Sequence, residues 1–124
     1  MIYKGRILII DDEKSLTELM KIRFEANKYE VFTANSGEDG IKIALKEKPD
    51  VVLLDIMMPE MDGYEVLKHL RHNPTTSGIP VIMCSARGET KSLVRAFDLL
   101  STDYIIKPFD FKELLEIVER NMEK

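Results

Sequence analysis

The stretch Val51-Val52-Leu53-Leu54-Asp55, followed by Ile56-Met57-Met58-Pro59-Glu60-Met61-Asp62-Gly63, decides the fold. Four apolar residues ending on an acid show no polar alternation, the pattern of a strand buried on both faces of a parallel sheet. The Pro- and Gly-bearing loop that follows breaks the strand and leads into a helix from Tyr64 to about Arg71. Upstream, Arg6-Ile7-Leu8-Ile9-Ile10 is a second apolar run, ending on Asp11-Asp12. After it Ser15, with Glu18 three residues on, predicts a capping box for a helix to about Asn27, in which Leu16, Leu19, Met20, Ile22 and Phe24 recur at roughly helical spacing. Glu30 to Ala34 reads as a strand, and Ser36 as the cap of a helix to about Lys46 with Ile41, Ala44 and Leu45 inward and Pro49 at its end. Downstream come a turn at Asn73 to Gly78, a fourth strand opened by Pro80, a helix over about Thr90 to Leu100 and a fifth strand over Asp103 to Lys107. Asp110 caps a final helix with Phe111, Leu114, Leu115 and Val118 inward.

Strands alternating with helices through short loops predict an α/β protein with a doubly wound parallel sheet between two helical layers. The expected strand order is 2-1-3-4-5, in one domain over residues 1–124. At 44% hydrophobic and 32% charged, the composition is that of a globular protein, and no apolar run is long enough to cross a bilayer. The first residues lack a signal-peptide core, so the expected location is the cytoplasm, with no membrane partner. The net charge of −4 argues against direct nucleic-acid binding, and Lys42, Lys46 and Lys48 read as a solvated helical surface. Cys84, the only cysteine, excludes an internal disulfide and reads as a buried thiol. His69 and His72 stand three apart without a third ligand and read as a solvated helix face.

In open α/β sheets the ligand crevice lies beyond the carboxyl ends of the strands, where the strand order reverses. Strand one ends in Asp11-Asp12 and strand three in Asp55, so three carboxylates should converge there, with Ser85 and Lys107 arriving from strands four and five. Clustered carboxylates repel unless a cation neutralises them, and a hard site with few protein ligands suits Mg²⁺. The set reads as phosphoryl transfer onto a carboxylate, from a donor that is another phosphorylated molecule. Singly, each residue has a plainer reading: Asp11 as a helix cap, Ser85 and Tyr104 as ordinary strand residues, Lys107 as a surface charge. Asp62 reads as a helix cap, Gly63 as a position no side chain fits, and Met57, Met58 and Met61 as loop packing.

Ile10-Asp11-Asp12, Asp55 to Gly63, Ser85-Ala86-Arg87 and Tyr104-Ile105-Ile106-Lys107-Pro108-Phe109 together resemble the response-regulator receiver family of two-component signalling. The family's fold is flavodoxin-like, (βα)5, and the order 2-1-3-4-5 is its own, so that order is not independent of the resemblance. The resemblance implies that Asp55 accepts a phosphoryl group from a histidine kinase or phosphotransfer protein. It further implies that Asp12 binds Mg²⁺ directly and Asp11 mainly through water, with the Met57 carbonyl as a further ligand. Lys107 would contact a phosphoryl oxygen and Asp55, Ser85 would hydrogen-bond the phosphoryl group, Tyr104 would be the switch aromatic, and Lys107-Pro108 would be cis. A downstream effector domain or protein is the implied output partner.

The chain departs from the family pattern in three places. Met57 and Arg87, at positions that modulate access of water, are expected to shield an acyl phosphate. Leu100-Ser101-Thr102 lacks the usual glycine, so that junction is expected to be strained, extended or differently hydrogen-bonded. Leu93, Ala96 and Leu100 add an apolar line suited to a homodimer through the fourth helix, fifth strand and fifth helix. The expected role is a regulatory switch and not a turnover enzyme. An aspartyl-phosphate phosphatase is disfavoured because Met57 stands where such enzymes carry a second acid, and a docking module without phosphorylation is disfavoured by the intact Asp12, Asp55, Ser85 and Lys107.

Overall fold

A computed structural model describes residues 2–86 and 101–122. It contains five strands, β1 (Arg6–Ile10), β2 (Glu30–Ala34), β3 (Val51–Asp55), β4 (Val81–Ala86) and β5 (Asp103–Lys107). The described helices are α1 (Lys14–Ala26), α2 (Gly37–Glu47), α3 (Gly63–His72) and α4 (Phe111–Met122). The helix expected over about 90–100, its apolar line Leu93, Ala96 and Leu100, and Arg87 lie outside the described residues.

All neighbouring strands pair in parallel, in the order β2-β1-β3-β4-β5. Strand residues alternate between two cores. Leu8, Ile10, Val52, Leu54, Val81 and Met83 pack with Ala44 of α2 and Val66, Leu67 and Leu70 of α3. Ile7, Ile9, Val51, Leu53, Ile82 and Ile105 pack with Met20 and Phe24 of α1 and Leu114 and Val118 of α4. This two-sided burial is why β1 and β3 carry no polar alternation.

Three caps stand where the sequence puts them: Ser36 Oγ accepts the Asp39 N–H (3.2 Å), Asp62 Oδ1 the Glu65 N–H (2.9 Å) and Asp110 Oδ1 the Glu113 N–H (2.7 Å). The first helix departs from expectation. Its N-cap is Glu13, whose side chain makes no cap bond, and Ser15 lies inside the first turn. The helix starts before Ser15: the Leu16 and Thr17 N–H groups donate to the Glu13 carbonyl (3.1 Å each), so Ser15 is already helical, and the turn is held from behind by Asp11 Oδ1, which accepts the Glu13 N–H at 2.9 Å. The buried face of α1 is Thr17, Met20 and Phe24, while Leu19 and Ile22 face solvent, since a period of 3.6 cannot bring all five apolar positions to one side. Helix α2 ends on Lys48 in the left-handed conformation (φ 48°), one residue before Pro49.

The glycine-free junction before β5 is hydrogen-bonded in both directions. Thr102 N–H donates to the Val81 carbonyl (2.9 Å), and the Val81 N–H donates to Thr102 Oγ1 (3.1 Å). The hydroxyl thereby satisfies the first amide of a strand whose first five residues are buried. Thr102→Val should lower unfolding free energy by about 1–2 kcal/mol in urea titrations, and Thr102→Ser should retain most of it.

Candidate functional site

Strand parity delivers the site. Asp11 continues the alternation of Ile7 and Ile9, Asp55 that of Val51 and Leu53, and Lys107 that of Ile105, all on the α1/α4 side of the sheet. At the carboxyl ends of β1, β3 and β5 the three side chains therefore meet. Lys107 Nζ lies 3.0 Å from Asp11 Oδ2 and 3.4 Å from Asp55 Oδ1. One carboxylate oxygen each from Asp11, Asp12 and Asp55 lie within 4.8 Å of one another, and among the described residues this is the one group of acids, His or Cys so arranged.

The electrostatics are those of an undercompensated cluster. Asp11 is 3% exposed and Asp55 8%, while Asp12 is open to solvent. Burial pushes the Asp55 carboxyl up to about 6, the Asp11 charge adds to this, and Lys107 opposes it without cancelling it. For Lys107, burial pulls downward, but the hydrogen bond to Asp11 and the charges of Asp11 and Asp55 outweigh it and hold the ammonium above its usual range. One lysine between two buried carboxylates leaves negative charge in excess. The donor set is all hard oxygen, so the residues fit a metal ion of that preference and not a soft one.

The loop after Asp55 is fixed by Gly63. A Cβ there would stand 2.5 Å from the Asp55 carbonyl oxygen and 2.8 Å from the Ile56 Cα, and the Gly63 N–H donates to the Ile56 carbonyl at 2.8 Å. Helix α3 is thus seated directly on the backbone that carries Asp55, as the sequence reading of Gly63 expects. Among the loop methionines, Met58 is buried and Met61 half-buried, but Met57 is 60% exposed. Met57 is therefore not loop packing: most of its side chain is open to solvent.

The profile of the family described as the response regulator receiver domain matches residues 7–119. The chain belongs to that family. Among curated proteins, the receiver is 40% identical over 110 residues to the DNA-binding dual master transcriptional regulator RpaA of Synechocystis, covering 89% of this chain and 46% of that protein. It is 41% identical over 119 residues to the regulatory protein AtoC of Escherichia coli, covering 96% of this chain and 25% of that one. The chain thus spans less than half the length of these relatives. Among solved structures, a Francisella response-regulator receiver domain superposes with a TM-score of 0.85 at 31% identity, covering 96% of this chain and 97% of that one. The chemotaxis protein CheY4 of Vibrio cholerae gives 0.87 at 26% identity, covering 94% and 97%.

The other expected residues of this receiver lie on β4, β5 and α3. Ser85 is buried, one residue past Cys84, the register partner of Asp55, and pairs with Ile106 beside Lys107. Tyr104 pairs with Met83 and is 45% exposed. Lys107-Pro108 is cis. Burial pushes the Cys84 thiol up to about 12, in line with an inert buried residue. His69 and His72 are exposed, with His72 Nδ1 2.7 Å from the Lys68 carbonyl. No described helix is long and apolar enough to cross a membrane.

The raised Asp55 carboxyl makes stability depend on pH. The metal-free folded protein holds this proton more tightly than the unfolded chain, so the contribution is complete below about pH 4 and is lost as the pH rises through about 6. In chelator, Asp55→Asn should exceed the wild type by about 1–3 kcal/mol near neutral pH, the gap closing toward pH 4, as read by urea unfolding.

Proposed function

We propose that this receiver is a phosphoacceptor switch in which Asp55 takes a phosphoryl group from a histidine kinase or phosphotransfer protein. The observation that supports it best is the meeting of Asp55 with Asp11, Asp12 and Lys107 at the strand ends. An Asp55 oxygen attacks phosphorus, the donor's phosphorus–nitrogen bond breaks as the phosphorus–oxygen bond forms, and the imidazole leaves with the electron pair. Lys107 supplies its ammonium to a phosphoryl oxygen from a position already within 3.4 Å of Asp55. Mg²⁺, held by Asp12, Asp55 and the Met57 carbonyl, with Asp11 mainly through water, would neutralise charge on the carboxylates and the phosphoryl oxygens. Ser85 donates its hydroxyl to the acquired phosphoryl group, and Tyr104, half-exposed on β5, is the aromatic that turns inward with it.

The product is a changed surface around β5, α4 and the expected helix at about 90–100, read by a downstream effector domain or protein or by a second copy of the chain. The transcriptional regulators among the relatives make an attached or separate DNA-binding output the favoured setting, with residues 1–124 acting as one cytoplasmic receiver unit that makes no direct nucleic-acid contact. The role is regulatory: the chemistry is its own phosphorylation and slow self-dephosphorylation.

Incubation with Mg²⁺ and acetyl phosphate should give one phosphoryl group per chain, mapped by mass spectrometry to Asp55 and lost in Asp55→Asn. Continuous phosphate release without a stable adduct would point to a phosphatase, and the absence of label to a docking module. Met57 and Arg87 are proposed to hinder water at the acyl phosphate, and Met57 is exposed as that requires. Met57→Asn should therefore shorten the phosphoryl half-life several-fold in a decay assay.

A further inference from the structure

Asp11, the residue just past β1, is held through its backbone N–H and its carbonyl by two consecutive residues at the end of β2, Ala34 and Asn35. The Asp11 N–H donates to the Ala34 carbonyl at 3.0 Å, an extension of the sheet ladder. The Asp11 carbonyl, beyond the last residue of β1, accepts the side-chain amide of Asn35 at 2.8 Å. The same Asn35 Nδ2 donates to Thr17 Oγ1 at 3.1 Å. Thr17 is 1% exposed on the buried face of α1 and donates its own hydroxyl proton to the Lys14 carbonyl at 3.0 Å, so towards Asn35 it can only accept. Two acceptors on one nitrogen fix the orientation of the carboxamide. Its grip on the Asp11 carbonyl fixes the plane of the Asp11–Asp12 peptide, and with it the direction in which Asp12 leaves the chain.

We propose that Asn35 is a positioning residue for the divalent-cation site, clamping the Asp11–Asp12 peptide so that the solvent-open Asp12 carboxylate is aimed at Asp11 and Asp55. This rests on the cation-binding reading of the acidic cluster, and the test separates the two. Mg²⁺ binding is followed by calorimetry on the unphosphorylated chain, for wild type, Asp12→Asn, Asn35→Leu and Asn35→Ala. Leu fills the carboxamide's space without its donor, and Ala removes both. Supporting results are a Mg²⁺ Kd raised on the order of tenfold in both Asn35 variants, with each variant folded by circular dichroism, as other removals of groups that orient metal ligands do. Unchanged affinity in either folded Asn35 variant, where Asp12→Asn loses binding, overturns the Asn35 role and leaves the cation site standing. If wild type takes up no Mg²⁺, or Asp12→Asn binds as wild type does, the site reading fails and the Asn35 role with it. A drop in Asn35→Ala that Asn35→Leu does not share marks simple packing and also overturns the proposal.

Discussion

Two buried carboxylates sharing one lysine is the constraint around which this molecule is organised. Lys107 reaches Asp55 at 3.4 Å across β4, and Asp11 at 3.0 Å across both β4 and β3. A single positive charge cannot settle two acids together with the nearby Asp12, and the Asp55 carboxyl is displaced upward to about 6 mainly by burial and then by Asp11. The site therefore holds unfavourable charge that an added cation or the loss of one carboxylate charge relieves. Everything that holds β1, β3 and β5 in register maintains this tension.

That register comes from apolar packing and not from the polar residues. Alternate residues of β1 and β3 fill opposite cores, and a slip of one residue would send Asp11 or Asp55 to the other face of the sheet. Gly63 adds a second constraint, because helix α3 rests on the Asp55–Ile56 backbone with no room for a methyl group. Asp55 is thus located by hydrophobic burial from below and by a close helix contact from above. Its chemistry then needs few side chains of its own.

The fold was legible because uninterrupted apolar runs ending in acids can mean little besides buried parallel strands, and the three true caps at Ser36, Asp62 and Asp110 are local side-chain-to-backbone bonds that sequence spacing reveals. Ser15 carries the same local signature, but the helix begins earlier, at Lys14, on a turn that Asp11 holds from the strand end. Leu19 and Ile22 misled because apolar type does not say which side of a helix is covered. The acidic cluster could be read from strand ends alone. Asn35 was not, since its partners Asp11 and Thr17 lie 24 and 18 positions away and an asparagine after a strand is ordinary loop chemistry.

The lone cysteine has a practical consequence of another kind. Cys84 lies on β4, inside the sheet and 4% exposed, its thiol held well above the range in which thiolate forms. Maleimide and disulfide reagents should pass over the native chain, so a cysteine engineered at any surface position would carry a fluorophore or spin label without removing the natural one. The protein is in effect already a cysteine-free scaffold for spectroscopy.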